Sequence, residues 1–234
     1  MTLLTYVQPT LVTQYGVEMT VATLVHLTTP SSSPLDARKA HTIFEGLCDI
    51  TRSLLQFHRP SLGGRYHVFI PLLERLLACL FTPASRDSAA TSRFKHPPWI
   101  DNKQHPLTSR HAQRVSRLLE NLCNPPQSDI SKRRPRENAG HEQLVDMTRK
   151  TRMQVGKHVQ HVLHYFCTLV LNGRLGEGMR DALTPGLWAV MDVMEMGADE
   201  SKGVKALSAS MNNAERAILR GVFEDWRRFG SWSG

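Results

Sequence analysis

The chain has 234 residues, 41% of them apolar, and a formal net charge of +8. That size supports one large domain or two small ones with a substantial core, and the charge suits acidic partners, nucleic acid above all, through sequence-independent attraction to phosphate. Four cysteines, Cys48, Cys79, Cys123 and Cys167, stand far apart in apolar stretches with no C-x-x-C pair, which points away from a disulfide framework or a zinc site and toward reduced core thiols.

Residues 1–33 form an N-terminal segment. It lacks the basic start of a signal peptide, and Pro9, Gln14 and Glu18 interrupt its apolar character, so neither a leader nor a membrane span is expected and the chain reads as soluble and intracellular. Threonine and valine enrich 17–29, a composition compatible with helix or strand. The serine run Ser31 to Ser33 then leads to a helix start, with Ser33 as N-cap, Pro34 at N1 and Asp36 at N3.

From residue 34 onward the pattern is helical. Ala40, Ile43, Phe44, Leu47, Ile50, Leu54 and Leu55 give one face of a helix over 34–58. A tight corner follows, His58-Arg59-Pro60-Ser61-Leu62-Gly63-Gly64-Arg65-Tyr66-His67, with a glycine pair suited to φ > 0. Tyr66 to Phe81 carries the next apolar face, with Pro71 fitting the first turn of the main helix. Two Arg and two His crowd this corner. The physical reading makes Arg65 a half-buried guanidinium that caps carbonyls or pairs with a carboxylate.

Periodicity is lost over 82–108, a long proline-bearing loop in which Trp99-Ile100 reads as a docking anchor. A helix runs from about Ser109 to Cys123 and stops at Asn124-Pro125-Pro126. A second long loop, 124–141, carries Lys132-Arg133-Arg134-Pro135-Arg136, a pattern of RNA contact or nuclear import. The longest helix spans about 142–172, with Val155, Val159, Val162, Phe166 and Leu169 in its seam and Asn172-Gly173 as a left-handed cap. A short turn or helix over 175–183 precedes a new helix capped by Thr184, with Pro185 at N1 and Gly186 next. A short helix over 199–210 follows. The final helix starts at Asn212, whose spacing to Glu215 is that of a capping box. It places Ile218, Leu219, Val222, Phe223, Trp226 and Phe229 in the core before Gly230 closes it and Trp232 follows. The expected architecture is all-α, a single domain of stacked antiparallel hairpins, solenoid- or bundle-like, with two long loops.

No constellation of reactive residues has the spacing catalysis requires. His158, His161, His164 and Cys167 rotate progressively around one helix and cannot all face one metal ion. Gly173-Arg174-Leu175-Gly176-Glu177-Gly178 follows a helix rather than a strand, unlike a phosphate loop. His41, His58, His67, Asp49 and Ser61 assemble into a triad only on paper, a cheap coincidence among eleven histidines. The chain therefore reads as no enzyme, with no catalytic residues, cofactor or metal.

Several blocks carry a family resemblance: His58-Arg59 with Leu62-Gly63-Gly64-Arg65-Tyr66-His67; Ser116-Arg117-Leu118-Leu119 with Leu122-Cys123 and Pro125; Leu183-Thr184-Pro185-Gly186-Leu187; and Phe223-Glu224-Asp225-Trp226 with Phe229-Gly230-Ser231-Trp232. Over about residues 34–234 the chain resembles the C-terminal domain of the nucleolar 27S pre-rRNA processing proteins, helical proteins of large-subunit ribosome assembly. It departs from that pattern at Trp226, where the family has Tyr, and at Ser231, where it has Lys. Family members are usually much longer, with helical repeats before this domain. The resemblance implies a location in the nucleus and nucleolus. It also implies a non-catalytic scaffold role in early 60S subunit biogenesis, beside pre-60S assembly factors that include large helical proteins and a DEAD-box helicase. The alternative is a basic helical module that binds pre-rRNA directly.

Overall fold

The computed structural model describes residues 12–84, 95–125, 141–196 and 203–230, with the backbone alone over 141–147. Among the described residues the chain forms eight α-helices and one two-stranded ribbon: α1 (Gln14–Leu27), α2 (Ala40–Phe57), α3 (Ile70–Leu80), β1 (Phe81–Pro83), α4 (Ser109–Cys123), α5 (His141–Asn172), β2 (Gly173–Leu175), α6 (Met179–Glu195), α7 (Val204–Ser210) and α8 (Asn213–Asp225). The all-α expectation holds, and no helix among these residues is long and apolar enough to cross a membrane.

The segment that composition left between helix and strand is α1. Thr20 and Thr23 stay in the helix by donating their hydroxyls back to the Gly16 and Met19 carbonyls, while Val17, Val21 and Leu24 bury one face. The expected cap at Ser33 is not used. The chain stays extended to Asp36, whose carboxylate accepts from Arg38 N at 3.0 Å over a 3₁₀ turn, Ala37–Lys39, and α2 begins only at Ala40. Pro71 lies in the first turn of α3 after a 3₁₀ turn at Tyr66–Phe69, where a missing N–H costs nothing.

At the far end of α5 the predicted left-handed cap is absent. Gly173 enters β2 directly, paired antiparallel with β1 in the register Phe81↔Leu175, Thr82↔Arg174 and Pro83↔Gly173. The loop anchor is real: Trp99 is fully buried and its Nε1 donates to Leu27 O at 2.8 Å.

The helix expected to start at Thr184 starts instead at Met179, behind Gly178, and Pro185 lies inside it. Pro185 has no N–H, and Gly186 N donates to Ser116 Oγ on α4 at 2.8 Å. Thr184 Oγ1 donates to the Arg180 carbonyl rather than capping a new helix. The helix tolerates the proline because the same turn docks on α4. A Cβ on Gly186 would lie 2.7 Å from both Cα and O of Ser116.

That α4–α6 contact is the most extensive helix packing in the molecule, and α4 also touches α2, α3 and α5. Ala112, Val115, Leu118, Leu119 and Leu122 are all buried along α4. The core is therefore arranged around a helix from the middle of the chain, with α5 closing the other side against α3, α6 and α8. The four cysteines are free and buried, and burial pushes the thiols of Cys79, Cys123 and Cys167 up to about 12.

The last helix opens with the expected reciprocal cap. Glu215 N donates to Asn212 Oδ1 at 2.9 Å, and Asn212 N donates to Glu215 Oε2 at 3.2 Å. Its end differs from expectation. At Trp226–Gly230 the coil widens to a π turn, and the extra residue swings Phe229 out of the core to 61% exposure while Gly230 turns in.

Candidate interaction surface

The corner between α2 and α3 divides into an inner and an outer part. Arg59 opens a 3₁₀ turn, Arg59–Leu62, and is almost completely buried. Its guanidinium donates Nε to Leu55 O at 3.3 Å, Nη1 to Leu122 O at 3.1 Å and Nη2 to Asn121 O, and it lies 5.7 Å from the centre of the Tyr66 ring. One side chain thus satisfies the orphan carbonyls at the C-terminal ends of two helices. Leu62 and Tyr66 are buried beside it, and His58 is the buried C-cap of α2. Gly63 and Gly64 turn the chain with φ of 57° and 92°, and Gly64 lies against the Gln154 side chain on α5.

Arg65 is on the other side. Its side chain is 56% exposed and its Nη1 donates to Glu18 Oε1 at 3.1 Å. Of the two roles expected of Arg65, pairing with a carboxylate is the one it takes, from an exposed rather than half-buried position, while Arg59 caps the carbonyls. A hydrogen bond from Gln14 holds the Glu18 carboxyl below its ordinary value against an opposing burial effect, with Arg65 adding to the lowering. His67 is exposed, with its ring 5.3 Å from that of His158 on α5. Burial, then the charges of His67, His161 and Lys157, lower the His158 pKa. Arg149, Lys150, Lys157 and His161 are exposed or half-buried along the same helix.

The C-terminal signature residues gather elsewhere, over α6. Trp226 Nε1 donates to Asp192 Oδ1 at 2.7 Å, and the Gly230 backbone packs against the Trp188 indole. Beside them a cleft of about 370 Å³ opens between the end of α4, α6 and the π turn, with Glu120, Asn121, Asn124, Pro185, Trp188, Ala189, Asp192 and Gly230 on its walls. The sequence reading missed this cleft. Glu120 and Asp192 share no motif, and only the α4–α6 register brings them together.

Of the residues singled out in the sequence, Arg59, Leu62, Tyr66, Gly186 and Gly230 serve packing, Gly63 and Gly64 turn the corner, and Arg65 and His67 face outward. Trp232 and the cluster Lys132, Arg133, Arg134 and Arg136 lie outside the described residues. The paper triad is dispersed: His41 Nε2 is 3.0 Å from Pro106 O, Asp49 accepts from Arg114 Nη1 at 2.8 Å, and His67 faces His158. The histidine row on α5 also points apart, with His164 Nε2 3.6 Å from Glu215 Oε2 and Cys167 buried. Among the described residues no group of three His, Cys, Asp or Glu side chains is placed to hold a metal ion.

Against known proteins, a family model described as the Urb2/Npa2 family matches residues 1–234, the N-terminal segment included. No curated protein and no solved structure matches the chain.

Proposed function

Because the chain belongs to the Urb2/Npa2 family, a family involved in 60S ribosome biogenesis, we propose that it serves that process in the nucleolus as a non-catalytic scaffold of early pre-60S particles, holding other assembly factors by protein–protein contact. The observation that carries this reading is the fate of the corner cations. Arg59 is consumed by three helix-end carbonyls and the exposed Arg65 pairs with Glu18, so one of the two corner arginines is withdrawn into the fold and the other already has a carboxylate partner. A DEAD-box helicase and large helical assembly factors are the partners this role calls for, and Lys132-Arg133-Arg134-Pro135-Arg136 would supply the import signal.

A second reading, direct binding of pre-rRNA, is favoured by the run of cations and histidines on α5 around Lys157, His158 and His161. One experiment separates the two. The tagged full chain is purified from its own cells with and without RNase, and the co-purifying proteins are identified. Assembly factors that remain after RNase support the scaffold. Loss of every partner on RNase treatment moves the assignment to RNA binding, and absence of pre-ribosomal components from both samples overturns both readings.

A further inference from the structure

The cleft at the end of α4 has a chemistry opposite to that of the chain as a whole. In a protein of net charge +8 it is walled by two carboxylates, Glu120 and Asp192, by Asn121 and Asn124, and by Trp188, with Gly230 packed against the indole. Each carboxylate is held by one internal hydrogen bond: Glu120 Oε1 accepts from Ser116 Oγ at 3.2 Å, and Asp192 Oδ1 from Trp226 Nε1 at 2.7 Å. Those bonds fix the side chains without neutralising them. No ion pair among the described residues joins either carboxylate to a cation. Arg59 and Arg152 act on the Cys123 thiol beneath, as Asp192 does. Arg59 spends its donors on the carbonyls of Leu55, Asn121 and Leu122.

We propose that this cleft is a docking site for an arginine side chain presented by a partner protein. A volume of about 370 Å³ is at the small end of ligand sites and suits one side chain with its flanking backbone. A planar guanidinium has donors enough for two carboxylates, and it stacks on an indole face, which an ammonium does less well. Phosphate is excluded by the same two carboxylates, so the cleft takes a basic protein segment and not RNA. The inference rests on the scaffold reading only in taking the partner to be a protein.

The test uses the full chain and a fluorescein-labelled arginine–glycine repeat peptide, followed by anisotropy at physiological salt, with a lysine–glycine peptide in parallel. Saturable binding with preference for arginine is expected. The double variant Glu120→Gln/Asp192→Asn keeps both internal hydrogen-bond acceptors and should bind at least about tenfold more weakly, with its thermal unfolding unchanged. Trp188→Leu should erase the preference for arginine over lysine. Absence of saturable binding, or equal affinity in the double variant, would overturn the assignment. Failure here leaves the co-purification result standing, and failure there leaves this binding standing, so the two are distinguishable.

Discussion

The surroundings of α4 and the outer rim of the corner use the same residue types for opposite purposes. Around α4, polar groups are buried inside the protein: Arg59 donates to carbonyls at its C-terminal end, the Ser116 hydroxyl accepts from Gly186 N at its middle, and at its start His111 Nδ1 accepts from Thr108 N while its Nε2 is buried without a partner. At the rim, Arg65, His67 and Glu18 are exposed or half-exposed and meet across solvent. Removing a group of the first kind leaves an unsatisfied partner in a place water does not reach, whereas removing one of the second kind hands its partner to water. The difference teaches that the residues around α4 serve the internal frame, whereas those at the rim meet solvent.

The largest expected effect is at the α4–α6 crossing. Replacing a helical glycine by alanine normally gains up to about 1 kcal/mol from backbone entropy. At Gly186 the new methyl would lie 2.7 Å from Ser116 Cα and O, both backbone atoms that cannot rotate away. Gly186→Ala is therefore expected to lose about 3 kcal/mol of stability, the scale of overpacking a rigid core. Its urea-unfolding midpoint checks this, and a midpoint at or above that of the native chain would mean that the two helices separate without cost.

The start of α4 supplies a pH-dependent form of the same contrast. The His111 ring is buried between His41 and Phe44, and its Nδ1 accepts from Thr108 N at 3.0 Å. Burial first, then the neighbouring charge of His41 with Arg114 and Arg110, lowers its pKa from the ordinary 6.5 to about 4, with Glu45 opposing. The unfolded chain thus binds this proton more readily than the folded one. The contribution is intact above pH 6.5 and is lost as the pH falls from there toward about 4. A loss on the order of 3 kcal/mol is expected across that window. Unfolding free energies of the native chain and of His111→Gln, measured over the same range, should show the steeper slope in the native chain, and parallel slopes would contradict the assignment.

These cases also show where the sequence stopped speaking. Periodicity identified which faces of α2, α4, α5 and α6 turn inward, because burial follows the helical repeat. It could not name the partner of a face. The role of Arg59 depends on carbonyls up to 63 residues away, so the sequence could not tell which corner arginine caps carbonyls and which pairs with a carboxylate. Pro185 carried a strong local signal for a helix start, which the docking of Gly186 on Ser116 overrides. Phe229 fits the repeat until the π turn breaks it. The cleft left no local trace, since Glu120 and Asp192 converge only through tertiary register.

The smallest expected effect provides the cleanest comparison, because it sets two arginines of one corner against each other. Arg59→Met removes three donors and keeps an unbranched apolar stem, leaving the carbonyls of Leu55, Asn121 and Leu122 without their partner. A loss of about 2 kcal/mol follows from unsatisfied buried acceptors. Arg59→Lys should recover little of it, since a single ammonium cannot span three carbonyls set for a guanidinium fork. Arg65→Met removes the same atoms from the rim. Glu18 keeps its bond from Gln14 and gains water, so the unfolding midpoint at physiological salt should not move. Denaturant unfolding of the three variants side by side decides the matter. If Arg65→Met proves as costly as Arg59→Met, the division of the corner into an inner frame and an outer rim is wrong, and Arg65 belongs to the frame that holds α1 against the bundle.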